Sequence, residues 1–212
     1  MEKFTVVTGL AAPLMKANID TDVIIPAKCL VGHQRNELGA FALEAHRYRS
    51  DKTENPDFVL NRHRYRGANI LITGENFGCG SSRESAVWAL AGLGFRCVIA
   101  PSFGDIFTGN AFQNGMLLIR LPKEQVDRLA AELEHCAVPA ITVDLQSRMI
   151  VAPSGDEMPF EIDAERRQAL LEGRDEIGMT LAREPEILAF QERDRAERLW
   201  IYQAKPARTP AA

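Results

Sequence analysis

No stretch of this chain approaches the ~20 consecutive apolar residues of a membrane span. Its start, Met1-Glu2-Lys3-Phe4-Thr5, lacks the basic residues and apolar run of a secretory signal, so the expected compartment is the cytoplasm. Cysteine is scarce. Cys29, Cys79, Cys97 and Cys136 stand far apart with no Cys-x-x-Cys pair, which gives neither a disulfide framework nor a zinc or iron–sulfur ligand set. Cys97 and Cys136, among apolar neighbours, read as small packed core residues. Basic charge does not cluster: 25 Lys and Arg are scattered among 29 Asp and Glu for a net charge of −4. Neither nucleic acid nor an anionic membrane surface is an expected partner.

What remains, in 212 residues without an internal repeat, is ordinary globular composition with enough chain for one sizeable core. One domain over residues 1–205 is expected, with a loop-rich insertion at 27–67 and a frayed Pro/Ala-rich tail at 206–212. Thr5–Thr8 is a short β-rich run ending at Gly9 and followed by the punctuation of Ala12-Pro13. Asn18-Ile19-Asp20-Thr21-Asp22 reads as a polar turn leading into a β-branched strand stopped by Pro26. Its Asx side chains suit a turn closed onto backbone N–H groups better than a calcium loop, which would need glycine at its sixth place and glutamate at its twelfth. A short helix is expected around Phe41–Ala45. Arg62, Arg64 and Arg66 alternate like one face of a strand, more in keeping with a solvated face than an anion site.

The strand candidate Asn69–Ile72 and the helix candidate Ser85–Ala91 flank a junction with three glycines in seven residues, Gly74-Glu75-Asn76-Phe77-Gly78-Cys79-Gly80, followed by Ser81-Ser82-Arg83-Glu84. Further strands at Phe95–Ala100 and Met116–Ile119, separated by a helix at Asp105–Phe112, give a βαβαβ rhythm. The glycine-rich loop then falls at a strand's carboxyl end, where α/β folds place ligands. An amphipathic helix over Lys123–Cys136 follows, then a hairpin of Ile141–Leu145 with Met149–Val151 and a strand at Met158–Ile162. Asp163 caps a helix that Gly173 ends, and a charged helix starts near Glu184.

The junction admits several chemistries. A phosphate loop lacks its Lys ahead of Ser81, and a nucleophile elbow lacks its second glycine. A third use is a serine that acts as a base, its alkoxide stabilised by free N–H groups at a helix N-terminus and by Arg83, whose guanidinium could also grip a carboxylate. A purely structural junction is an equal alternative on these residues alone.

Asn76-Phe77-Gly78-Cys79-Gly80-Ser81-Ser82-Arg83-Glu84 resembles the signature of the swivelling domain of the aconitase superfamily. Nearly the whole chain resembles the small-subunit family of the isopropylmalate dehydratases. The likeness takes in Asn18–Pro26, Asn55–Asn61, Ile99–Phe107, Gly109-Asn110 and Ile177–Leu181. It implies a swivelling β/β/α fold of the α/β class, a central mixed sheet flanked by helices. It also implies a separate large subunit carrying a 4Fe-4S cluster, no metal or cofactor in this chain, and reversible dehydration of a small 2-hydroxy dicarboxylic acid in leucine biosynthesis. The partner's iron then acts as Lewis acid.

By the same resemblance Ser81 is the general base, Ser82 lines the pocket, Arg83 binds substrate carboxylate, and Gly78 and Gly80 make room for its approach. Arg35, in Gly32-His33-Gln34-Arg35-Asn36, is the best match to the segment that reads the substrate's side group, with imperfect spacing. The family pattern has His after the Arg-Glu pair and often Pro two residues later, where this chain has Ser85 and Val87. A 2-methylmalate (citraconate) or dimethylmalate hydro-lyase subunit is the alternative substrate class. A non-catalytic assembly subunit and a stand-alone anion-binding module are the other readings.

Overall fold

The computed structural model describes residues 1–81 and 83–202; Ser82 and the 206–212 tail lie outside the described residues. The chain forms two compact units, Met1–Asp175 and Glu176–Ala212.

The first unit is built on a seven-stranded sheet. Its strands are β1 (Val6–Leu14), β2 (Ile70–Thr73), β3 (Cys97–Ala100), β4 (Leu117–Arg120), β5 (Ala140–Asp144), β6 (Met149–Val151) and β7 (Glu157–Pro159), in the spatial order β4-β3-β2-β1-β5-β6-β7. From β1 to β4 neighbours run parallel, with Pro13 opposite Ile72 and Ile99 opposite Ile72 and Ile119. From β1 through β7 they run antiparallel, so the sheet is mixed. Helices α1 (Thr21–Ile24), α2 (Glu44–Arg47), α3 (Glu84–Leu93), α4 (Asp105–Gln113), α5 (Lys123–His135) and α6 (Ala164–Glu172) complete it, with 3-10 turns at Ala27–Leu30, Arg35–Phe41, Val59–Asn61 and His63–Tyr65.

The strand period divides the core in two. Leu71, Val98 and Leu118 face a layer made by α3, α4 and the insertion, where Ala86, Val87, Leu90, Leu43 and Phe107 are buried. Ile70, Ile72, Cys97, Ile99, Leu117 and Ile119 face the opposite way, onto Val126, Leu129 and Leu133 of α5 and Leu170 of α6. All four residues of β2 and of β3 are buried, as expected of strands covered on both faces. The βαβαβ rhythm, the hairpin, the amphipathic α5 and the Asp163 cap, whose Oδ1 accepts from the N–H groups of Glu165 and Arg166, stand where the sequence places them.

Several local expectations give way, among them the strand at Met158–Ile162, which is seen as Glu157–Pro159. Strand β1 does not stop at Gly9 but runs nine residues to Leu14. A Cβ on Gly9 would lie 2.4 Å from Asn69 Oδ1, so a larger residue there would have to displace the Asn69 side chain. Pro13 is tolerated because the Ala11 N–H points to the β5 side, donating to Pro139, so Pro13 faces the same side beyond the last β5 pair, Leu10 with Ala140. The expected strand after Asp22 is instead the single turn α1. Asp20 caps it by accepting from the Val23 N–H at 2.7 Å, and Ile24 and Ile25 are buried from that turn.

The Phe41–Ala45 helix is also displaced. A 3-10 turn ends at Phe41, Leu43 takes φ of 55°, and α2 begins only at Glu44. The arginine run lies in 3-10 turns rather than on a strand: Arg64 donates to the carbonyls of Leu133, Glu134 and Cys136, closing the C-terminus of α5, and Arg66 pairs with Glu54. Cys97 is fully buried as expected, whereas Cys136 is only half-buried at the end of α5.

The second unit consists of α7 (Glu176–Leu181), α8 (Glu184–Glu197) and α9 (Leu199–Tyr202), with Asp194 accepting from Arg198 and from the Tyr202 hydroxyl. The Tyr202 hydrogen bond, with Arg198 beside it, holds the Asp194 carboxyl below its ordinary range. Among the described residues no helix is long and apolar enough to cross a membrane.

Candidate active site

The glycine-rich loop leaves the buried end of β2 and enters α3, and the segment before and through α1 supports it along its length. Asn18 N–H donates to Glu75 O at 2.9 Å, Gly78 N–H to Ile19 O at 2.7 Å, and Thr21 N–H to Cys79 O at 3.0 Å. On its other flank, Phe77 bridges to Phe103, and the Ser102 hydroxyl accepts from the Asn76 N–H at 2.8 Å. The loop is therefore threaded between two segments and has little freedom to change its path.

Its glycines answer to different constraints. Gly78 is buried at φ of 72°, and a Cβ there would sit 2.3 Å from the Phe107 ring, which packs edge-on against Phe77. The space left by its missing side chain belongs to Phe107. Gly80, at φ of 91°, is exposed and passes 3.3 Å from Asp20 Cβ, measured from an ideal Cβ position. Both positive φ values lie where an L side chain is strained.

Beyond Gly80 the loop turns outward. Ser81 is exposed, and its carbonyl accepts a 2.9 Å hydrogen bond from the hydroxyl of Thr21, a residue only 1% exposed. Arg83, the N-cap position of α3, makes an ion pair with Asp22 from the first turn of α1. Asp20, Thr21 and Asp22 thus engage Cys79, Ser81 and Arg83 by backbone pairing, hydroxyl and carboxylate respectively. An exposed serine and a partly exposed guanidinium stand at the start of a ten-residue helix, the end that carries the positive pole of its dipole. This suits an anionic ligand.

Arg35 belongs to a neighbouring cluster. Its guanidinium lies 4.9 Å from the centre of the Trp88 ring and donates to Asn114 Oδ1, while Asn114 Nδ2 donates to Glu84 Oε1 at 2.9 Å. Arg35 is thereby joined, through one carboxamide, to the residue that follows Arg83. Ser85 is buried on α3 at 8% exposure and Val87 is fully buried, so both positions where this chain departs from the family pattern turn into the protein.

Sequence reasoning placed Ser81 and Arg83 at this junction but left Asp22, Thr21 and Asn114 out of it. The signal available for the first two was the polar cluster at 18–22, which was legible only as a turn. For Asn114 the sequence shows an Asn-Gly turn and no more.

Among the described residues no group of three or more His, Cys, Asp or Glu is arranged to hold a metal ion. Cys29 lies in the core on one face of the sheet and Cys97 in the core on the other, so the thiols do not fit an iron–sulfur cluster. Burial raises the Cys29 thiol above its ordinary range, helped by its hydrogen bond to the Glu44 carboxylate, and burial alone raises Cys97.

Residues 1–124 match the aconitase C-terminal domain family, and residues 127–164 match the LeuD family, LeuD_N. The small subunit of 3-isopropylmalate dehydratase from Granulibacter bethesdensis is 54% identical over 95% of this chain and 96% of its own length. That from Afipia carboxidovorans is 50% identical over 95% of this chain and all of its own. The crystal structure of 3-isopropylmalate dehydratase (leuD) from Methanocaldococcus jannaschii superposes with a TM-score of 0.63 at 25% identity, covering 88% of this chain and 99% of that one. The mixed sheet and its glycine-rich junction are those of an aconitase C-terminal, swivelling-type domain. Within that class the chain belongs to the family of 3-isopropylmalate dehydratase small subunits.

Proposed function

We propose that this chain is the small subunit of a cytoplasmic hydro-lyase that interconverts 3-isopropylmalate and 2-isopropylmalate by dehydration and rehydration, a step of leucine biosynthesis. The observation that carries the reading is the exposed Ser81 and the partly exposed Arg83 on one loop, held by Thr21 and Asp22. Two residues do not make a whole active site, and the family's relatives are named as small subunits of one dehydratase, which supports a site completed by another subunit. The Lewis-acid half, a 4Fe-4S cluster, is assigned to the large subunit, since this chain's thiols do not fit one.

The roles follow from the chemistry available here. Ser81 Oγ, as an alkoxide, takes the proton from the carbon next to a substrate carboxylate, and the C–H electron pair becomes the alkene as water is lost. A serine alkoxide needs electrostatic support at neutral pH, which the α3 N-terminus and Arg83 offer. Arg83 also holds a carboxylate of the small dicarboxylic acid in its planar fork. Gly80 leaves room beside Ser81, Gly78 contributes through the loop's path, and Arg35 reads the alkyl group; the role expected of Ser82 falls outside the described residues.

Co-expression with the large subunit, followed by alkene absorbance, tests this. The assembled enzyme should turn over isopropylmalate, and the isolated chain should not. Ser81→Ala should lower turnover by about three orders of magnitude or more at unchanged assembly. A wild-type rate in Ser81→Ala removes Ser81 from the mechanism. A preference for 2-methylmalate or dimethylmalate reassigns the substrate.

A further inference from the structure

The Asn114 side chain uses its full hydrogen-bonding capacity, and its four partners come from three elements: the Arg35–Phe41 turn, α3 and α4. Oδ1 accepts from Arg35 and, at 3.1 Å, from Trp88 Nε1. Nδ2 donates to Glu84 at 2.9 Å and to Asn110 O at 2.8 Å. Its orientation is not a matter of choice: a guanidinium and an indole can only donate, and a carboxylate and a carbonyl can only accept. A carboxamide is the neutral group of this size that serves both sides. Asn114 itself is fixed as the C-cap of α4, with its own N–H on Asn110 and Ala111 carbonyls.

The Arg35–Phe41 turn has a second point of attachment to α3. A Cβ on Gly39 would lie 2.3 Å from the Gly92 carbonyl carbon, so the two backbones touch near the end of the helix. Gly39 fixes one end of the turn on α3, and the Arg35 stack on Trp88 with the Asn114 bond fixes the other. Only the second attachment is polar, and it alone is chained to Glu84 beside Arg83.

We propose that Asn114 is a positioning residue for substrate selection: it sets where the Arg35 guanidinium stands relative to the Arg83 end of α3. The inference deepens the dehydratase reading and rests on it for its kinetic consequence. In the enzyme assembled with its large subunit, Asn114→Leu raises KM for isopropylmalate about tenfold while kcat changes less than about threefold, the loss of charge-assisted bonds in ground-state positioning. Asn114→Asp keeps the acceptor for Arg35 and Trp88 but sets a carboxylate oxygen against both Glu84 and the Asn110 carbonyl, and should raise KM likewise. Adding Glu84→Gln lets the new carboxamide donate to the new carboxylate, reversing the wild-type bond, and KM falls back part of the way towards wild type, the opposition of the Asn110 carbonyl remaining.

The chain has two tryptophans, so a Trp200→Phe background leaves the emission of Trp88 as a readout independent of turnover. Asn114→Asp shifts that emission, and Asn114→Asp with Glu84→Gln moves it back towards wild type. A wild-type KM in Asn114→Leu, or a double variant no better than Asn114→Asp in both readouts, overturns the proposal. If Asn114→Leu does not fold, the near-isosteric Asn114→Asp pair carries the test. Absence of wild-type turnover with the emission pattern intact points instead to failure of the dehydratase reading.

Discussion

Asp22 and Arg83, sixty-one positions apart in sequence, form an ion pair that ties the first turn of α1 to the N-cap of α3. Asp22 is about half exposed and Arg83 about a quarter, at 53% and 26% of their side-chain areas. An ion pair this wet contributes roughly 0–1 kcal/mol to stability. Its consequence lies in geometry: of the rotamers open to a long arginine, the carboxylate selects one.

Asp22→Ala should therefore leave unfolding in urea within about 1 kcal/mol of wild type, while lowering kcat/KM of the assembled enzyme roughly tenfold. Asp22→Asn, which keeps an acceptor oxygen, should fall between. Equal losses of stability and activity would make Asp22 a structural residue only. Steady-state kinetics beside equilibrium unfolding on the same preparations separates the two.

What could be read beforehand follows the range of the forces involved. The parallel strands β2, β3 and β4 were legible because continuous apolar runs between glycine and proline punctuation have few alternatives. Helix α5 was legible from its 3.6-residue period, and the Asp163 cap from local chemistry. The α1 turn was not, because Val23-Ile24-Ile25 favours strand locally, and only burial of Ile24 and Ile25 together with the Asp20 cap decides for helix. The role of Arg64 required knowing that α5 ends beside it. The candidate site divides the same way. Ser81 and Arg83 sit in a contiguous motif, while Thr21, Asp22 and Asn114 reach it only across the fold.

Cys97 carries a pH dependence. Burial of the thiol on β3 raises its pKa, since the thiolate cannot be solvated there. A group whose folded value lies above its unfolded value stabilises fully below the unfolded pKa, about 8.5 for a thiol, and that contribution is lost as pH rises towards the folded value. Urea unfolding above pH 9 should show stability falling with a contribution from Cys97 that approaches 1.4 kcal/mol per pH unit, or about that. In Cys97→Val that contribution should vanish, leaving the shallower slope of the other groups, among them Cys29 with its raised pKa. Comparing slopes removes the constant cost of the substitution itself, and parallel lines for the two proteins would refute the assignment.

Gly78 and Gly109 should respond to the same substitution with opposite signs. At Gly78 a methyl group would overlap the Phe107 ring at 2.3 Å and would have to adopt φ of 72°. Overpacking and left-handed strain together place Gly78→Ala at roughly 2–4 kcal/mol of destabilisation. Gly109 lies inside α4, which also carries Phe107, and a Cβ there meets no atom within 4 Å. Alanine at that position gains helix propensity without a clash, so Gly109→Ala should stabilise by about 0.5–1 kcal/mol. Phe107→Leu in the Gly78→Ala background should recover only part of the loss, because it relieves the overlap and leaves the backbone strained. Full recovery would mean that the positive φ costs nothing. No recovery would mean that the ring is not what Gly78 makes room for. Either result would change how the loop's path to Ser81 is understood, since Gly78 is the last buried residue before the chain turns outward.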